Sequence, residues 1–193
     1  TKKYEPYEKI GLKKGNQHIQ INDSIIQIEN EYYSSIRPKR VVYSGQRPIN
    51  VLKNKGIEYV EVRCLDNNPF LRGSIDKHTA YFIEAYLMVS LIDENYSFDE
   101  IRIREIQDNW QNTVRNGRDA KLLLKRDGKT ISVQDAANEV FSKIYDYACA
   151  LPIEAYDLKN KILRSLEVQK SKLRDPELTP SGNIMKEMQE KNI

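Results

Sequence analysis

At about residue 73 the spacing of apolar residues switches from roughly two to roughly 3.6, the periods of strand and helix. Before that point "SIIQIENEYY" (24–33) alternates, with Ile26, Ile28 and Tyr32 on one side and Gln27, Glu29, Glu31 and Tyr33 on the other. "GIEYVEVRCLD" (56–66) does the same, setting Val60, Val62 and Cys64 against Tyr59, Glu61 and Arg63. After it, Ile75, Phe82, Ala85, Tyr86, Val89 and Ile92 recur at helical spacings. Strands first and helices afterwards predict an α+β fold, with sheet strands in residues 1–72 and a helical part over 73–193.

Local signals place the other elements. Arg37 precedes Pro38, which pushes "SIRPKR" (35–40) towards an extended conformation. A short helix is expected over 48–55, followed by Gly56. Ser97, with Glu100 three residues on, predicts the N-cap of a helix running to Asn116 and ended by Gly117. Asp127-Gly128 inside "LLLKRDGKTISV" (122–133) predicts a hairpin. Helices are expected over about 133–150 and 153–172, and 181–191 opens another. Residues 1–22 show no steady period.

Composition removes several classes. Basic residues number 31 and acidic ones 28, a net charge of +3 with no dense basic stripe, so nucleic acid is not the expected partner. Hydrophobic residues make up 39% and charged ones 31%, the balance of a globular chain rather than a membrane-spanning one. Cys64 and Cys149 are the only cysteines, which excludes a CxxC zinc site and points to a reduced, cytoplasmic setting. His18 and His78 lie far apart, and "GLKKGNQ" (11–17) lacks the Gly-Lys-Ser/Thr ending of a phosphate loop.

The charged strand faces are the candidate site. Residues two apart on a strand lie roughly 6.6–6.8 Å apart on one side. If the two strands share an antiparallel sheet, Glu29, Glu31 and Glu61 gather with Arg63, Tyr33 and Tyr59, over a core face of Ile26, Ile28, Val60, Val62 and Cys64. Two carboxylates forced to about 4 Å repel by roughly 4 kcal/mol at an effective dielectric of 20. Such a cluster spreads into water, pairs with Arg63 or takes up a cation; a magnesium nucleotide would serve, because Mg²⁺ accepts one or two carboxylates plus phosphate oxygens. A solvated sheet face is the plain alternative. "RPKR" (37–40) reads either as a basic surface turn or as a clamp for phosphate or carboxylate.

"KIGLKKGNQHIQINDSIIQIENEYYSSIRPKR" followed by "GIEYVEVRCLDNNPF" resembles the bacterial glutamate–cysteine ligases, or γ-glutamylcysteine synthetases. The likeness continues more loosely through "NWQNTVRNGR" (109–118) and "DPELTPSGNIMKEM" (175–188). The resemblance implies an ATP-dependent enzyme of glutathione synthesis, in which the γ-carboxylate of glutamate is phosphorylated and then attacked by the cysteine amine. It also implies a fold related to glutamine synthetase, with an antiparallel sheet lining a funnel and helices packed outside.

Carried over onto matching positions, Glu61 is a Mg²⁺ ligand and Arg63 contacts the transferring phosphoryl group and the glutamyl γ-carboxylate. Tyr33 belongs to the cysteine pocket. Glu29 and Glu31 fall in the matching motifs as further metal ligands, and Arg37 and Lys39 as substrate-binding cations. Cys64 is expected to be a packed thiol. Members of the family are far longer, so the chain is expected to be a C-terminal portion that works with an N-terminal part of the enzyme. Two other functions stay open: a ligase with a different amine acceptor, and a non-catalytic anion- or RNA-binding module using Arg37, Lys39 and Arg40.

Overall fold

The computed structural model describes residues 3–28, 33–93 and 99–191. They fall into two compact units, residues 1–66 and 67–193.

The first unit opens with helix α1 (Glu5–Ile10), which has Pro6 in its first turn and ends at Gly11 in the left-handed region. Strands β1 (Lys13–Lys14) and β2 (Gln17–His18) form a tight hairpin. The amide of Gln20 ties the two together, donating to the carbonyl oxygens of Tyr7 (2.6 Å) and Gly11 (2.8 Å). Strand β3 (Ile36–Lys39), helix α2 (Pro48–Lys55) and strand β4 (Tyr59–Val62) follow.

The strand expected over 24–33 does not form in its described part. Ser24 makes a lone bridge to Lys3, and residues 25–28 carry no strand. Side chains claim the backbone instead. Asn22 accepts from Ser24 N (2.8 Å) and donates to Gln27 O (2.7 Å), while Gln27 Oε1 accepts from Ile21 N (3.0 Å). Such local bonds compete directly with ladder formation. β4 pairs antiparallel with β3 instead, so the basic "IRPK" segment is its neighbour.

β4 is also shorter than the alternating stretch, and its apolar side is not a packed core. Val60 is 40% exposed, Val62 half-buried and Cys64, beyond the end of the strand, exposed. Cys64 is therefore not the packed thiol expected from alternation. Period two identifies which residues share a side, but burial depends on whether anything covers it.

The second unit is helical, apart from one hairpin. Helix α3 (Lys77–Ile92) begins at Asp76, whose carboxylate accepts from Thr79 N (2.7 Å). Helix α4 (Glu100–Asn116) is capped by Asp99, which accepts from Arg102 N (2.8 Å); Ser97, the expected cap, lies outside the described residues. Strands β5 (Leu123–Arg126) and β6 (Lys129–Ser132) meet at Asp127 and Gly128, both at positive φ (52° and 75°), as a primed hairpin turn requires. Helix α5 (Val133–Ala150) starts at the Ser132 cap, helix α6 (Tyr156–Arg174) follows a single 3₁₀ turn, and α7 (Pro180–Lys191) closes the described chain.

The core is the meeting of α3, α5 and α6. Ala85, Phe141, Ile144, Ala148, Ile162 and Leu166 are buried together. Phe82 meets Phe141 edge-to-face at 6.0 Å. On α5, Phe141, Ile144 and Ala148 recur at three and four residues, and on α6 Ile162 and Leu166 lie four apart, so each helix presents one apolar stripe. Full burial of a side chain such as Ile144 or Leu166 contributes roughly 1.5–3 kcal/mol relative to exposure.

Side chains of α4 hold the hairpin. Glu105, 8% exposed, accepts from both turn amides, Asp127 N (2.9 Å) and Gly128 N (2.8 Å). Asn109 exchanges two bonds with the backbone of Lys125, each 2.7 Å. Arg102 pairs with Asp127 and Lys125 with Asp108. The observed architecture is thus α+β with three separate two-stranded antiparallel sheets among the described residues.

Candidate active site

The pairing of β3 with β4 builds the charged face. The register sets Arg37 opposite Glu61 and Lys39 opposite Tyr59, and directly opposed residues point to the same side of an antiparallel pair. Arg63, two residues beyond Glu61, extends that side. Ile36, Pro38, Val60 and Val62 occupy the other.

Glu61 sits between two cations. The Arg63 guanidinium meets it fork to fork, Nε to Oε1 at 3.1 Å and Nη2 to Oε2 at 3.1 Å. From the neighbouring strand, Lys39 Nζ lies 3.3 Å from Oε2. These side chains are about one-third exposed (32% for Arg63 and Lys39, 38% for Glu61), so the face is open to solvent. The hydrogen bonds from Arg63 lower the Glu61 carboxyl below its ordinary value; partial desolvation opposes this, and Lys39 adds to it. Arg63 also lies over the Tyr33 ring, 5.8 Å from its centroid, within cation–π range.

Arg37 has no ion-pair partner among the described residues. Among the described residues three cations therefore face one carboxylate, a surplus of two positive charges. Arg63 retains capacity too: two of its five N–H groups hold Glu61, and three remain for a second anion. Arg40 serves the scaffold. It donates Nε to Gly56 O (2.7 Å) and approaches Glu58 (3.6 Å), whose carboxylate also accepts from Val41 N (3.2 Å).

Tyr33, Arg37, Lys39, Glu61 and Arg63 are thus brought to one side of one strand pair or its border. Glu29 and Glu31 lie outside the described residues. Sequence reasoning missed the Lys39–Glu61 contact, because it paired the glutamate-bearing strand with 24–33. The Arg37-Pro38 dipeptide was the available signal, since it already marked that segment as extended.

Among the described residues, the site is a solvent-open sheet face with three cations around one braced carboxylate, in an α+β protein with small antiparallel sheets. The comparisons with known proteins specify more. The sequence profile of the glutamate–cysteine ligase family matches residues 1–113, and the chain belongs to that family. The glutamate–cysteine ligase of Pseudomonas entomophila is 42% identical over 187 residues, and that of a Janthinobacterium strain 40% over 186. These alignments cover 97% and 96% of this chain but 35% of each relative, so the chain spans about a third of their length. The crystal structure of Francisella tularensis glutamate–cysteine ligase in complex with AMP superposes with a TM-score of 0.79 at 38% identity, covering 97% of this chain and 37% of that one.

Among the described residues no helix is long and apolar enough to cross a membrane, and no three His, Cys, Asp or Glu side chains cluster to hold a metal.

Proposed function

We propose that this chain forms part of an ATP-dependent ligase that joins the γ-carboxylate of glutamate to the amine of cysteine. One observation carries the reading: the family's paired motifs meet in space as the β3–β4 face, with Arg63 braced on Glu61 and its remaining N–H groups free for an incoming oxyanion. In the complete enzyme this face would line a funnel-shaped site.

The chemistry has two steps. A γ-carboxylate oxygen of glutamate takes the terminal phosphoryl group of ATP, giving γ-glutamyl phosphate and ADP. The cysteine nitrogen then attacks the acyl carbon, the C–O bond to phosphate breaks, and the ammonium nitrogen loses its proton. Both steps spread negative charge over oxygens that preorganised donors stabilise.

Arg63 is the proposed catalytic residue, its free edge contacting the transferring group. Its planar fork holds two oxygens at once, which an ammonium cannot. Arg37 and Lys39 bind substrate carboxylate or phosphate, and Tyr33, 76% exposed beside Arg63, borders the cysteine pocket.

Glu61, Glu29 and Glu31 are the carboxylates that the family resemblance implies as metal ligands. The described geometry does not by itself fit Mg²⁺, because both Glu61 oxygens are held by cations where a metal shell needs them free. No step above depends on the ion.

The test is product formation by the full-length protein supplied with ATP, Mg²⁺, glutamate and cysteine. γ-Glutamylcysteine identified by mass spectrometry in equal amount to ADP is expected, and hydroxylamine should trap the acyl phosphate as glutamyl hydroxamate. ADP release without either adduct would overturn the reading.

A further inference from the structure

A cleft of about 210 Å³ opens between the first turn of α3 and one face of α6. Lys77, His78 and Tyr81 contribute from α3; Asp157, Asn160, Lys161 and Arg164, spaced three and four apart, contribute from α6. The lining is rich in donors and poor in acceptors. Its one carboxylate, Asp157, is already bound to Lys161 Nζ (2.5 Å), which lies 5.6 Å from the centre of the Tyr81 ring. Lys77 and Arg164 have no ion-pair partner among the described residues. Against that background His78 carries a buried Nδ1 with no hydrogen-bond partner.

A charge run along one helix is ordinarily a solvated face. Here the charges instead converge from two helices on a concavity, leaving two uncompensated cations. The space matches roughly seven water volumes, enough for a phosphate group and a few attached atoms. Guanidinium and ammonium groups bind such oxyanions through short charge-assisted hydrogen bonds.

We propose that this cleft is a binding site for a small phosphate monoester dianion, gripped by Arg164 and Lys77 beside His78. The site belongs to the helical unit and does not rest on the ligase reading.

Histidine side-chain NMR of the full-length protein tests it, with the His78→Asn variant assigning the signal. Inorganic phosphate and glycerol 3-phosphate are the probes, with chloride at matched ionic strength as the control. The expected result is a saturable shift of the His78 signal with both phosphates and none with chloride. In a Lys77→Ala/Arg164→Ala variant the midpoint should rise roughly tenfold or more, since two charge-assisted contacts are lost. Both side chains are exposed, so this variant should keep the parent circular dichroism spectrum. A non-saturating shift, an equal response to chloride, or an unchanged midpoint in the double variant would overturn the proposal.

Discussion

Replacing Arg63 by lysine keeps the charge and removes the fork. In the structure the guanidinium spends one edge on Glu61, Nε and Nη2 each at 3.1 Å, while its other N–H groups remain available. A lysine ammonium has three N–H groups on a flexible stem. It can replace one contact to Glu61, but cannot also present a rigid pair of donors to the transferring group. Loss of a single preorganised donor at a developing charge costs about 10²–10³ in turnover, and Arg63→Lys should fall in that range. Stability should change little, because the pair is open to solvent and such pairs contribute weakly. The assay is steady-state formation of γ-glutamylcysteine by the full-length protein and its variant, alongside their thermal unfolding. Near-normal turnover would refute the catalytic assignment. A large rise in KM with kcat unchanged would move Arg63 from chemistry to simple binding.

The hairpin clamp makes a separate prediction. Glu105→Ala strips the acceptor from two turn amides and should destabilise the protein by about 3–4 kcal/mol, the lower part of what two hydrogen bonds to a charged group contribute; an unchanged denaturant midpoint would show the clamp to be inert. At Gly182 an added Cβ would lie 2.6 Å from Glu177 Cα and from the carbonyl oxygens of Glu177 and Pro176, all backbone. Gly182→Ala should therefore lower the melting temperature, with overpacking costing about 1–3 kcal/mol. Carbon-detected NMR should find the Glu61 carboxyl titrating below 4.5, its ordinary value. Because its folded pKa is depressed, whatever stability it contributes is present above that value and fades as pH falls through the folded pKa. A midpoint at or above 4.5 would mean that Arg63 and Lys39 do not hold it in solution.

The helices of the second unit were legible because their apolar residues recur at helical spacing between end signals that act locally. Asp127-Gly128 likewise fixed the β5–β6 turn, since both residues must adopt positive φ. The first unit was harder. Its early helix and hairpin are short, and their signals, Pro6 near a helix start and Gly15-Asn16 at a turn, carry no apolar period. The segment from Ser24 misled for a physical reason: alternation was present, but Asn22 and Gln27 bond the backbone locally. At the site, the motifs nominated candidate side chains, whereas strand pairing decided which of them meet. Lys39 reaching Glu61 depends on a register that no single strand encodes.

The clamp on the β5–β6 hairpin works like a vernier. Four residues of α4, from Asn109 back to Glu105, advance about 6 Å, and two strand residues, from Lys125 to Asp127, advance about 6.8 Å. The two rulers agree closely enough for both sets of contacts to close together. A single inserted residue between Glu105 and Asn109 would turn one group by about 100° around the helix. One inserted between Lys125 and Asp127 would flip a strand side. Insertions between Asn116 and Leu123 leave both rulers intact. Length variation in this part of the molecule should therefore collect in that connection, with the helix and hairpin fixed in length on either side.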